Sequence, residues 1–108
     1  MDVSKNTELT CLHCGSNQLT SLDVSANTAL KELRCGWNQL KSFDMSNNTV
    51  LSLFDCRNNE LDATALNAMF ETLHNNTKNK AIDIRGNPGT GDCDRNIATA
   101  KGWTVLNN

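Results

Sequence analysis

Residues 9–19 of the chain read LTCLHCGSNQL, and Cys11, His13 and Cys14 within them are the residue types that bind zinc or exchange disulfides. Either chemistry through the CxxC needs both thiolates to converge, on one ion or in one S–S bond. Other candidate chemistry is sparse. His13 and His74 are the two histidines, and no acid–base pair or nucleophile elbow can be assembled around either. GNPGTG at 86–91 is glycine-rich but lacks the Lys-Ser/Thr of a phosphate loop and fits a turn into a final helix. Asp2, Asp23 and Asp44 recur at a fixed interval, and carboxylates in line repel unless something compensates. One carboxylate per interval is thin ligation for calcium, which takes roughly 6–8 oxygens. Nearby Ser and Lys side chains and backbone donors are the expected partners instead. Asp92 and Asp94, flanking Cys93, fit helix capping better than metal binding. No metal, cofactor or catalytic site is expected, so the chain reads as non-enzymatic.

What positions Cys11 and Cys14 is a repeat. The frame LxxLxCxxNxL returns as LKELRCGWNQL at 30–40 and LSLFDCRNNEL at 51–61. Cys14, Cys35 and Cys56 are 21 residues apart, as are Asn17, Asn38 and Asn59, with Phe54 filling an apolar slot in the third copy. A second half follows each frame: LDVSANT at 22–28 and FDMSNNT at 43–49 match MDVSKNT at 1–7, so the chain starts in the middle of a unit. Such a period marks stacked rungs, none of which can bury its apolar face alone. The run around Leu12–Cys14 alternates and predicts a short strand, and successive strands should align about 4.7–4.9 Å apart in a parallel sheet. Cys11 and Cys14 differ by an odd number and must then point to opposite faces, which rules out a tetrahedral ion between them. Cys14, Cys35 and Cys56 are expected as a buried stack of free thiols. Asn17, Asn38, Asn59 and the later Asn87 are expected as turn amides bonding backbone groups left unpaired.

After residue 61 the pattern changes. Leu66, Met69, Phe70 and Leu73 fall at helical spacing behind an N-cap at Asp62 or Thr64. Ile82, Ile84 and Asn87 reproduce the spacing of Leu12, Cys14 and Asn17. DRNIATAKG reads as a short helix with Lys101 in its last turn and Gly102 beyond, and WTVL as a strand. The expected fold is α/β: a right-handed solenoid of short parallel strands with a helical C-terminal cap. Residues 1–61 would be the repeats (half unit 1–8, then 9–29, 30–50 and 51–61) and 62–108 the cap.

These motifs resemble the leucine-rich repeat family, in particular the bacterial class with 21-residue units found in surface proteins of gut Bacteroidetes. The tail ALNAMFETL…IRGNPGTGDCDRNIATAKGWTV is similar to the segment that ends such arrays, and the cysteine column is similar to the ladder of an internalin-type adhesin. The resemblance covers essentially the whole chain. It implies a secreted or cell-surface recognition module whose ligand differs from member to member.

On a strand reading, Cys11, Glu32 and Leu53 form one outward column and His13, Arg34 and Asp55 another, with Trp37 in the turn after the second strand. Candidate binding residues are therefore His13, Glu32, Arg34, Trp37, Asp55 and Arg57, with a protein or glycan as ligand. The plainer reading is a solvated face carrying an Arg34–Asp55 pair. About four strands of about five residues would offer less than half of the roughly 800 Å² per partner of a stable interface, so binding should be weak. A competing reading makes the chain the structural C-terminal cap and spacer of a longer surface protein. Met1 and Val3 would then lie on an unpaired edge that favours weak self-association.

A formal charge of -2 with no Lys/Arg block argues against nucleic acid, and no apolar run approaches bilayer length. Five cysteines is an odd number, so a complete internal disulfide set is excluded. The start MDVSKNTEL carries no export signal, and an exported protein would need one from elsewhere.

Overall fold

The computed structural model describes residues 1–76 and 79–106; Thr77, Lys78, Asn107 and Asn108 of the segment 62–108 lie outside the described residues. In chain order the elements are β1 (Cys11–His13), β2 (Glu32–Arg34), β3 (Leu53–Asp55), α1 (Ala63–Thr72), β4 (Lys80–Asp83), α2 (Asn96–Thr99) and β5 (Trp103–Leu106). All strands pair in parallel in one sheet of order β1-β2-β3-β4-β5. The sheet thus has five strands of three or four residues, where about four of five residues were expected. Each strand is short because the chain must turn after Cys14, Cys35, Cys56 and Ile84 to return beneath the sheet.

The register follows the repeat: Leu12 pairs with Leu33 and Leu33 with Phe54, each 21 residues on. Phe54 then pairs with Ile82, an offset of 28, because α1 occupies the third crossover. Leu33, Phe54 and Ile82 point inward and are fully buried, as are Leu30, Leu40, Leu51 and Leu61 from the flanking turns. Phe43 meets Phe54 edge to face, ring centroids 5.0 Å apart. Cys35 and Cys56 are inaccessible and Cys14 nearly so; all five cysteines are free. Burial pushes the Cys35 and Cys56 thiols far above their ordinary range, so they act as small apolar side chains.

Turn amides join the rungs. The Asn38 amide donates to the carbonyls of Cys35 (3.0 Å) and, one rung back, Cys14 (3.1 Å), while its oxygen accepts from the Leu19 N–H. Asn59 repeats this with Cys56, Cys35 and Leu40, and Asn87 with Ile84, Cys56 and Leu61. Asn17 differs. It reaches only the Cys14 and Gly15 carbonyls of its own turn and, unlike the other three, is exposed rather than buried. In the second half of the units, Asn27 donates to Val3 and Asn6, and Asn48 to Val24 and Asn27. Residues 1–8 form turns rather than a strand, so the open sheet edge is β1 and not Met1–Val3.

The residue before each asparagine of the strand-side turns (Asn17, Asn38, Asn59 and Asn87) is left-handed: Ser16, Trp37, Asn58 and Gly86 have φ of 58°, 60°, 56° and 77°. Only Gly86 carries no steric penalty there.

Beyond the third unit, Asp62 caps α1 by accepting from the Ala65 N–H at 2.8 Å. Leu66, Met69 and Phe70 face the core. A Cβ on Gly89 would overlap the Asp62–Ala63 peptide, so the turn before α2 packs directly on the α1 entrance. Lys101 lies past α2, not in its last turn, and its Nζ donates to the Phe70 and Glu71 carbonyls at the C-terminal end of α1 (3.1 and 2.6 Å). Lys80 is buried and donates to the His74 and Lys101 carbonyls beneath the Trp103 ring, and Trp103 Nε1 donates to His74 as well. Desolvation, followed by the nearby Lys101 charge, lowers the Lys80 pKa. At α2, Asp94 accepts from the Asn96 N–H; Asp92 makes no such contact among the described residues, correcting its assignment as a cap.

Asn59→Ala should cost about 1–3 kcal/mol, because it strips donors from two buried carbonyls of different rungs. Asn17→Ala should cost roughly 0.5 kcal/mol or less, because Asn17 is exposed and the Cys14 carbonyl keeps its second donor, the Asn38 amide. Denaturant unfolding of both variants measures the difference.

Candidate functional site

The outward face of the sheet is built by alternation. Residues flanking each inward Leu, Phe or Ile point out, giving Cys11 and His13 on β1, Glu32 and Arg34 on β2, Leu53 and Asp55 on β3, and Ala81 and Asp83 on β4. Arg57 and Arg85 join the face from the turns after β3 and β4.

These groups form one continuous charged row across four strands. His13 Nε2 lies 2.5 Å from Glu32 Oε2, which also accepts from Arg34 Nε at 3.0 Å. Arg34 reaches Asp55 only at 3.9 Å, so its principal partner is Glu32 on its own strand and not the expected Asp55 across the sheet. Arg57 forks onto Asp55, with Nε and Nη2 each 3.1 Å from a carboxylate oxygen, and leans on Asp83 at 3.4 Å. Arg85 grips Asp83 the same way at 2.9 and 2.6 Å. Asp55 and Asp83 also accept the Arg57 and Arg85 backbone N–H groups, which fixes both carboxylates at the mouths of the turns.

Burial separates the roles along the row. The Asp55 and Asp83 side chains are 8% exposed, whereas Arg34, Arg57 and Arg85 are 44%, 39% and 42% exposed. Asp55 therefore lies low in the row and orients Arg57, while the Arg34 and Arg57 side chains stand at the surface. Trp37, in the turn after β2, is 61% exposed, and its backbone N–H donates to the Arg57 carbonyl. The hydrogen bond from His13, then that from Arg34, holds the Glu32 carboxyl at a pKa of about 2.

The sequence reading set Cys11 beside Glu32 in one outward column, with His13 on the same face, but weighed it as a ligand only together with Cys14. Cys11 is exposed and Cys14 buried, but Cys11 Sγ lies 3.2 Å from His13 Nε2 and 3.5 Å from Glu32 Oε2. The signal was available: Cys-x-His puts two side chains on one face, and 21 residues past Cys11 stands Glu32. The Asp2, Asp23 and Asp44 column lies on another side of the molecule. Each carboxylate accepts from the serine two residues on (Ser4, Ser25, Ser46), and hydroxyl and backbone donors hold all three below the ordinary carboxylate range. His74 bonds the Leu51 carbonyl and packs against Trp103, away from the face. No helix among the described residues is long and apolar enough to cross a membrane.

Sequential parallel strands, the first three on a 21-residue register, with a charged outer face and buried turn asparagines, define a leucine-rich-repeat-like α/β fold. Among solved structures the chain is similar to the functional domain of InlJ from Listeria monocytogenes, described as including a cysteine ladder: 29% sequence identity and a TM-score of 0.65 over 97% of this chain. The chain spans 26% of that one. No protein-family model matches the chain, and no curated protein does.

Two measurements test the electrostatics. Arg57→Ala leaves two nearly buried carboxylates short of a donor and should cost roughly 1–2 kcal/mol, more at low salt than at high salt. Folding holds the Glu32 carboxyl below its ordinary 4.5, so its stabilising contribution is complete above that pH and fades as pH falls toward about 2. In His13→Ala the NMR titration midpoint of Glu32 should move up toward the ordinary value.

Proposed function

We propose that the chain is a non-enzymatic recognition module that binds a protein or glycan through the outer face of its sheet, in a secreted or cell-surface setting. In this reading residues 1–61 are a right-handed leucine-rich repeat solenoid of the bacterial 21-residue class and residues 62–108 its C-terminal cap. Contacts are assigned to Trp37, Arg34 and Arg57, flanked by His13 and Glu32, with Asp55 as the buried orienter.

The observation that carries the reading is Trp37. A large apolar side chain is held mostly in solvent on left-handed backbone, a conformation that costs an L-residue about 1–2 kcal/mol and that Gly86 adopts freely at the equivalent turn. An exposed aromatic whose backbone pairs with that of Arg57, one of the row of fixed guanidinium groups, has the composition of a binding hot spot. The likeness to the functional domain of InlJ supports the same reading. The face is small, so affinity from this chain alone should be modest.

The competing structural reading, a cap and spacer for a longer protein, draws support from the C-terminal segment, where Lys101, Lys80 and Trp103 tie α1, β4 and β5 together around His74. Weak self-association through the β1 edge fits either reading.

Trp37→Gly separates the two. It removes the side chain and relieves the backbone, so the melting temperature should hold or rise. Binding to arrays of extracellular proteins and glycans should fall at least about tenfold for any ligand the wild type captures. A wild type that captures nothing at high concentration, or a variant that binds equally well, overturns the recognition reading in favour of the cap.

A further inference from the structure

We infer that Cys11, His13 and Glu32 form a transition-metal site at the β1 end of the outer face, taking a borderline divalent ion of the zinc class. Their ligand atoms converge: Sγ to Nε2 is 3.2 Å, Sγ to Oε2 is 3.5 Å and Nε2 to Oε2 is 2.5 Å, all within 4.8 Å of one another. The convergence is built by the sheet. Cys11 and His13 are two apart on β1 and share a face, and Glu32 is the register partner of Cys11 on β2.

With Zn–S near 2.3 Å and Zn–N and Zn–O near 2.0–2.2 Å, ligands on a tetrahedron stand roughly 3.3–3.7 Å apart. The two sulfur distances are already close to that range. Only the imidazole–carboxylate pair must open, by about 1 Å on the same geometry, and both side chains are partly exposed and free to turn. Thiolate with imidazole selects zinc-class or copper ions over magnesium and calcium, which take oxygen ligands. Binding requires the Cys11 thiol to release its proton to solvent while neutral His13 gives its Nε2 lone pair and Glu32 its carboxylate. The Arg34 Nε bond to Glu32 would orient that carboxylate from outside the coordination sphere. A fourth position faces solvent, so the ion could take water or a group from a partner.

The site is neither a CxxC centre nor a catalytic triad. Cys14 is buried on the other side of the strand. A Cys-His-carboxylate triad needs the carboxylate on the ring nitrogen remote from the thiol, whereas here Nε2 faces both. The equivalent outward pairs on β2, β3 and β4 (Glu32 and Arg34, Leu53 and Asp55, Ala81 and Asp83) contain no thiol or imidazole, so among the described residues the cluster occurs only at β1.

The test is titration of the reduced protein with Co²⁺, read by the thiolate-to-metal charge-transfer band, followed by displacement with Zn²⁺ and a thermal melt with and without Zn²⁺. The wild type should bind one equivalent with a thiolate band, resist displacement by Ca²⁺, and melt at a higher temperature with Zn²⁺. Cys11→Ser and His13→Gln should lose the band and bind at least about tenfold more weakly. Both positions are exposed, so both variants should fold, and each is compared with its own metal-free melt, which Zn²⁺ should no longer raise; Cys93→Ser should behave as wild type throughout. Absence of a band in the wild type, its survival in either ligand variant, or its loss in Cys93→Ser would overturn the site. The metal is the only probe, so failure here leaves the proposed recognition of a protein or glycan untouched.

Discussion

The structure depends on one recurring hydrogen-bonding problem. A chain that leaves a three-residue strand and turns sharply strands its carbonyls inside the molecule, and each must find a donor. Asn38, Asn59 and Asn87 solve this for two rungs at once, donating to the turn they occupy and to the one before it. Strand length, spacing and the parallel register all follow from keeping that amide in reach of both turns. The second asparagine column is less complete: the Asn27 and Asn48 side-chain oxygens are buried without a donor from the protein, so the strand side of each rung is the better satisfied one.

The same geometry organises the outer face. The turn that places each asparagine inside forces its predecessor into left-handed backbone, and what stands there is displayed outward, whether Ser16, Trp37, Asn58 or Gly86. The arginines are fixed by the carboxylates two residues before them, Asp55 for Arg57 and Asp83 for Arg85, and these use the turn's own N–H groups as well. A preset charged row loses less freedom on meeting a partner than mobile side chains would.

The sequence states the fold plainly where period and alternation agree. The columns Leu12–Leu33–Phe54 and Cys14–Cys35–Cys56 are visible because burial demands the same residue type at each rung. Pairings within a face were harder to read. Arg34 could bond forward to Asp55 or back along its own strand to Glu32, and side-chain reach decided for Glu32. Asp55 looks exposed by alternation, yet two long arginine side chains cover it, which a one-dimensional pattern does not show. Lys101 appeared to belong to the helix next to it; its real partners are 30 and 31 residues away, at the far end of α1.

The burial of equivalent positions is graded along the stack. Leu12 on β1 is half-buried, whereas Leu33, Phe54 and Ile82 are inaccessible, and the β4–β5 end is fastened by Lys80, Lys101 and Trp103. In a quasi-one-dimensional array each rung is stabilised mainly by its neighbours, so the molecule has a polarity of its own. The β1 end is the more loosely held of the two and the β4–β5 end the more tightly held. The Cys11, His13 and Glu32 cluster spans the β1–β2 joint, so a crosslink there would fasten the end that packing secures least.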